Sequence, residues 1–139
     1  MVDERNNLNM DFKKVGVLGE DIVCLYLKNK SYKILERNYS KSISGVEKGE
    51  IDIIGKKDDI ICFIEVKTSI GAGNARADFS PEERVNYKKQ RQIIKLAQMW
   101  LLERKVSLNS KWQIDVISVM INLNSKKAKI RHFKNVFFQ

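Results

Sequence analysis

The chain has 139 residues, 43% of them hydrophobic, with a single proline, which suits one ordinary domain with a real core and excludes disordered and fibrous classes. Lysine and arginine number 26 against 17 acids, and the resulting net charge of +9 favours a polyanionic partner, nucleic acid or an acidic membrane surface. No apolar run approaches the roughly 20 residues of a bilayer span, and no hydrophobic stretch follows the charged start Met1-Val2-Asp3-Glu4-Arg5, so neither a membrane span nor a secretory signal is expected.

Residues 1–10 are polar and aperiodic and read as a flexible terminus, leaving residues 11–139 as a single domain. Residues 11–30 have helical periodicity. Lys14, Asp21 and Lys28 form one solvated stripe, and most of the remaining circumference is apolar, so the helix is expected to be largely buried. Glu20 breaks the pattern, lying on the arc of Gly16, Val23, Cys24 and Leu27. Cys24 and Cys62 have no metal-ligand spacing and cannot make a disulfide framework; they read as buried reduced thiols, which suits the cytoplasm.

Residues 32–39 read as a short strand and residues 41–48 as a polar connection. Residues 49–55 and 60–68 alternate and are rich in β-branched residues, two strands joined by a tight turn at residues 56–59. Residues 69–79, with Gly71, Gly73 and several alanines, have little to bury and predict a mobile loop. Ser80-Pro81-Glu82-Glu83 is a helix start with a capping box, and the helix is expected to run to about Lys105. Its buried face is Ile93, Ile94, Leu96, Ala97, Trp100 and Leu101. Residues 111–121 and 127–133 are two further strands, followed by the apolar tail Val136-Phe137-Phe138. The order α-β-β-β-α-β-β predicts an α/β fold, a mixed central sheet of about five strands flanked by helices.

The charged residues inside these strands carry the chemistry. Alternation puts Glu65 and Lys67 on one face of their strand, and Glu50, Asp52 and Ile54 on one face of the preceding strand. Pairing Gly55 with Ile60 sets Asp52 opposite Phe63; a shift of two sets it opposite Glu65. In either register Asp52, Glu65 and Lys67 lie within cross-strand or diagonal reach. Carboxylates that close, in a hairpin this apolar, require a compensating cation. Lys67 is one; a divalent ion such as Mg²⁺, which takes carboxylate oxygens and sits beside phosphates, is another. The same residues also fit an exposed ion pair on a solvated sheet face, and Glu20 a carboxylate satisfied by lysine or backbone.

The runs Gly49-Glu50-Ile51-Asp52-Ile53-Ile54 and Phe63-Ile64-Glu65-Val66-Lys67-Thr68 resemble the core of the PD-(D/E)xK nuclease superfamily. With Gly16-x-x-Gly19-Glu20, Lys89-Gln90-Arg91, Ile114-Asp115-Val116 and the ending from Ile130 to Phe137, the chain resembles more narrowly the small bacterial YraN family of predicted endonucleases. The resemblance covers about residues 11–138. It implies a restriction-endonuclease-like core, with Holliday-junction resolvases as structural relatives and a homodimer as one possible assembly. It implies metal ligands at Asp52 and Glu65, a catalytic lysine at Lys67, an auxiliary acid at Glu20 that completes the metal shell, and a site glutamine at Gln90. Ile51 replaces the proline of the superfamily's name, and the loop at residues 69–79 departs from the usual family loop.

The function so implied is hydrolysis of DNA phosphodiester bonds, in duplex or branched DNA, with Mg²⁺ or Mn²⁺. The alternatives are a non-catalytic nucleic-acid-binding module that kept a nuclease fold, and a protein-interaction domain that uses the apolar tail. Lys88, Arg91 and Lys95 on the second helix, and Lys127, Lys129 and Arg131 on one face of the last strand, are candidate phosphate contacts. They equally fit solvated surfaces. Tyr87 is a candidate for base stacking, while Trp100 and the single histidine, His132, read as packed residues. Asp115 has no assigned role, with a structural salt bridge as one reading.

Overall fold

The computed structural model describes residues 4–45, 47–71 and 87–136, with side chains in the first helix from Lys13 onward. Its elements are α1 (Glu4–Asn29), β1 (Lys33–Ser42), β2 (Lys48–Lys57), β3 (Ile60–Ile70), α2 (Tyr87–Glu103), β4 (Trp112–Asn122) and β5 (Lys127–Phe133). This is the expected order. The five strands form one mixed sheet in chain order, β1-β2-β3-β4-β5. All neighbours are antiparallel except β3 and β4, which are parallel and joined through α2. A parallel pair needs such a crossover, because a tight turn cannot reverse the chain twice.

Among the described residues, each face of the sheet carries one helix. Phe63, Ile54, Ile61, Ile114 and Val116 pack with Ile93, Leu96, Ala97, Trp100 and Leu101 of α2. Cys62, Ile64, Ile53, Ile117 and Val119 pack with Val23, Cys24 and Leu27 of α1. The period-two alternation of β3 is what separates the two cores. Trp100 is core, edge-on to Phe63 at 5.7 Å between ring centroids. Val136 of the tail packs on the α2 side and donates its N–H to Ile114 O at 2.9 Å.

Three expectations are corrected. α1 begins at Glu4, ahead of the start at residue 11 that the periodicity predicts. Extending an established helix fixes one residue per hydrogen bond, and residues 4–10 contain no glycine or proline to stop it. α1 is also not buried most of the way round: Val17, Leu18 and Leu25 are exposed beside the solvated stripe. Among the described side chains of α1, the sheet buries Val23, Cys24 and Leu27, with Val15, Ile22 and Tyr26 partly buried against the same core. The β2–β3 turn is two residues, Asp58-Asp59, rather than four, and Lys57 pairs with Ile60. Asp58 takes the left-handed conformation, φ 55°, which aspartate tolerates better than most residues. The register is therefore the shifted one, and β3 runs on to Ile70, through the first two residues of the expected loop. Gly71 follows, its N–H donating to Ile121 O at 3.0 Å, and residues 72–79 of that loop and the capping box lie outside the described residues.

Candidate functional site

The pairing of β2 with β3 ends at Ile53↔Ile64. Beyond that point β2 stays paired with β1 as far as Ser42↔Lys48, and β3 stays paired with β4 as far as Ile70↔Ile121. The two central strands part into a fork, and the charged residues stand at it. Asp52 bridges the opening by accepting the Val66 N–H at 2.8 Å. Glu65 is buried, and Lys67 Nζ stands 3.4 Å from Glu65 Oε1. Lys89, from the first turn of α2, approaches the same oxygen at 3.9 Å.

α1 brings Glu20 to the fork. A Cβ at Gly19 would overlap the Thr68 side chain, so glycine there lets the helix lie against β3. On the other side, a Cβ at Gly49 would stand 2.7 Å from Leu96 Cδ1 and 2.8 Å from Ile43 Cδ1. The glycines of the two Gly-Glu pairs thus admit a helix on each side. Glu20, Glu50 and Asp52 each offer a carboxylate oxygen within 4.8 Å of the others. Asn38 holds two of them: its Nδ2 donates to Glu20 Oε2 and to Glu50 Oε1, each at 3.2 Å. It does so from a left-handed backbone, φ 53°, that asparagine accepts readily. Arg37 lies 3.6 Å from Glu20 and 2.9 Å from Asp21.

The electrostatics follow from this crowding. Burial first, then Glu65, pushes the Asp52 carboxyl up to about 7, against the lowering effect of the Val66 N–H. Burial, then Asp52, also raises Glu20, while Arg37 and Asn38 pull it down. Among the described residues, Glu65 Oε2 is the buried side-chain polar atom left without a hydrogen-bond partner. Buried carboxylate oxygens are seldom left so. The donors are all hard oxygens, the set that suits Mg²⁺ or Mn²⁺ and not zinc or copper.

The description "Uncharacterised protein family UPF0102" matches residues 19–119, which include Glu20 and both arms of the fork. The chain belongs to this family. A UPF0102 protein from Alkaliphilus oremlandii is 40% identical over 125 residues, covering 90% of this chain and 98% of the relative. UPF0102 proteins from Clostridium kluyveri (40% over 127 residues, 90% and 94% covered) and Clostridium tetani (38% over 130 residues, 94% and 98% covered) are similar over nearly their whole lengths. The likeness to this UPF0102 chain spans the Gly49–Ile54 and Phe63–Thr68 runs.

The remaining sequence candidates are distributed around this centre. Gln90 is half-buried in the first turn of α2, one residue beyond Lys89. Lys88, Arg91 and Lys95 are exposed along one face of α2, and Lys127, Lys129 and Arg131 are exposed on β5. Asp115 is fully buried and lies apart from the fork in a satisfied network. It accepts from Gln113 Nε2 and from the Asn135 N–H, each at 2.9 Å, and pairs with His132 Nε2 at 2.9 Å. His132 Nδ1 in turn meets Tyr26 OH at 3.1 Å. These contacts form a buried hydrogen-bonded network that ties β4 and β5 to α1. Burial and Asp115 push the Cys62 thiol up to about 12, so it stays protonated and unreactive.

Glu50 and Asn38 were not singled out from sequence as site residues. Alternation already places Glu50 on the face of Asp52, a signal that was available. Asn38 gives no such signal, because its left-handed conformation and the register shift between Ile34 and Glu36 are invisible in a strand pattern. Among the described residues no helix is long and apolar enough to cross a membrane.

Proposed function

We propose that this protein is a metal-dependent endonuclease that hydrolyses phosphodiester bonds in DNA. The observation that carries the reading is Glu65: its buried Oε2 is unpartnered, its Oε1 lies 3.4 Å from Lys67 Nζ, and the Asp52 carboxyl beside it is pushed up to about 7. A purely structural ion pair gains nothing from an orphaned oxygen and crowded acids, whereas a divalent ion relieves both. Asp52 and Glu65, with Glu20 and Glu50 from the adjoining cluster, are the residues that would hold it. A bound Mg²⁺ or Mn²⁺ supplies Lewis-acid stabilisation of the charge that builds on the phosphate.

The chain's own residues do the rest. Lys67 projects into the fork from the same strand face as Glu65, where its ammonium can orient the attacking water and offset negative charge, or its neutral amine can take a proton from that water. Lys89, 3.9 Å from the same Glu65 oxygen, contributes a second positive charge. The resemblance of the two runs to the PD-(D/E)xK core supports the same assignment. The net charge of +9 suits a phosphate-rich substrate.

The test is single-turnover cleavage of duplex, flap, branched and single-stranded DNA with Mg²⁺ and with Mn²⁺. Lys67→Met keeps the apolar stem and removes only the charge and donors. It is expected to bind metal and DNA nearly as the wild type does and to cleave on the order of 10²-fold slower or worse. A rate within about threefold of wild type removes Lys67 from the mechanism. No cleavage of any substrate by the wild type with either metal favours the non-catalytic binding module.

A further inference from the structure

The first turn of α2 faces two ways. Lys89 reaches Glu65 at the fork, while the preceding residue, Lys88, reaches Glu47 at 3.5 Å on the opposite side. Glu47 lines a cleft of about 310 Å³ between α2 and the β1–β2 connection. Tyr87, Lys88, Arg91 and Lys95 form its α2 wall at helical spacing. Three cations here face one acid. Tyr87 is 73% exposed, and the Arg91 guanidinium lies over its ring, 5.7 Å from the centroid.

An aromatic ring so exposed and flanked by cations has a specific use. Base faces in a duplex are already stacked on one another, so a duplex could engage only the lysines and the arginine. A single strand offers both phosphates and an open base face, and stacking on an aromatic side chain is its usual means of capture. We propose that this cleft binds an unpaired nucleotide of a single-stranded nucleic acid, with the base against Tyr87 and Arg91 and the flanking phosphates on Lys88 and Lys95. Because Lys88 and Lys89 are adjacent, the cleft and the Asp52–Glu65 fork lie on two sides of the same helix turn, and a strand held in the cleft reaches the fork by passing around that turn. Delivery to a cutting site rests on the nuclease reading; binding in the cleft does not. Together they make the substrate a nucleic acid with an unpaired segment rather than continuous duplex.

The test is binding of a labelled single-stranded oligodeoxynucleotide and of its duplex, in EDTA so that nothing is cut. Tyr87→Ala is expected to weaken single-strand binding about tenfold or more while duplex binding stays within about twofold. Tyr87→Phe, which keeps the ring, should bind as the wild type does. Lys95→Ala should lower the salt dependence of both ligands, as loss of a phosphate contact does. Tyr87→Ala binding single strands normally, or losing both ligands equally, overturns the proposal. Mn²⁺ affinity, measured in parallel, separates the two claims. A wild type that binds single strands through Tyr87 but no Mn²⁺ sinks the nuclease reading alone. One that binds Mn²⁺ with single-strand affinity indifferent to Tyr87 sinks the cleft alone.

Discussion

Glu65 and Asp115 are buried carboxylates on neighbouring strands of one sheet, and they are accommodated in opposite ways. Asp115 has a partner for each oxygen: Gln113 and the Asn135 N–H on Oδ1, His132 on Oδ2. Glu65 has two lysines near Oε1 and nothing on Oε2, with Asp52 and its companions close by. Burial is therefore not what marks a functional acid. Satisfaction is: the Asp115 network is complete with the chain's own groups, whereas the fork is short of positive charge and of donors. One region holds the strands together, and the other is the one for which a bound divalent ion is proposed.

That contrast can be broken by mutation, and stability gives the largest expected effect. Asp115→Ala leaves His132 and the Asn135 N–H without their acceptor in a fully buried site. Breaking a buried pair from one side costs about 3–5 kcal/mol, so chemical denaturation should show a severe loss. Glu65→Gln at the fork removes a crowded charge and should leave stability unchanged or raise it by about 1 kcal/mol in metal-free buffer. Equal losses at the two positions would erase the distinction between them.

A smaller effect concerns pH. Asp52 is raised from the ordinary carboxylate range to about 7, so the native state holds its proton where the unfolded chain has lost it. The sign follows: metal-free stability should fall as pH rises from about 4 towards 7, and then level off. Asp52→Asn should flatten that part of the profile. A variant whose stability falls over this range as the wild type's does would show that Asp52 is not the group responsible.

Smaller again is the effect expected at Asn38. Glycine accepts the left-handed φ of this position, so Asn38→Gly removes the amide that holds Glu20 and Glu50 while sparing the backbone. Mn²⁺ affinity should drop several-fold, in line with loss of a group that orients metal ligands, and the fold should persist. Unchanged affinity would leave Asn38 only a structural part.

The same contrast explains what could be read from the sequence. The strands of the fork, their alternation and the closeness of Asp52, Glu65 and Lys67 follow from a period of two and a short hairpin. The register did not, because it hangs on whether the turn uses two residues or four, and Asp58 adopts a backbone that composition does not announce. α1 shows the other limit. Its apolar residues say what could be buried, but Val17, Leu18 and Leu25 have no sheet beneath them. Which carboxylate is satisfied is a matter of three-dimensional partners, so Asp115 and Glu65 look equivalent in one dimension.

The central claim is that the fork is a cation site formed by Asp52 and Glu65. Calorimetric titration of Mn²⁺ into the wild type, Asp52→Ala and Glu65→Ala, each shown to be folded, tests it directly. The expected result is saturable binding by the wild type that strengthens as pH is raised towards 7 and Asp52 gives up its proton, and no measurable binding by either variant. Binding of the same affinity in all three proteins would contradict it.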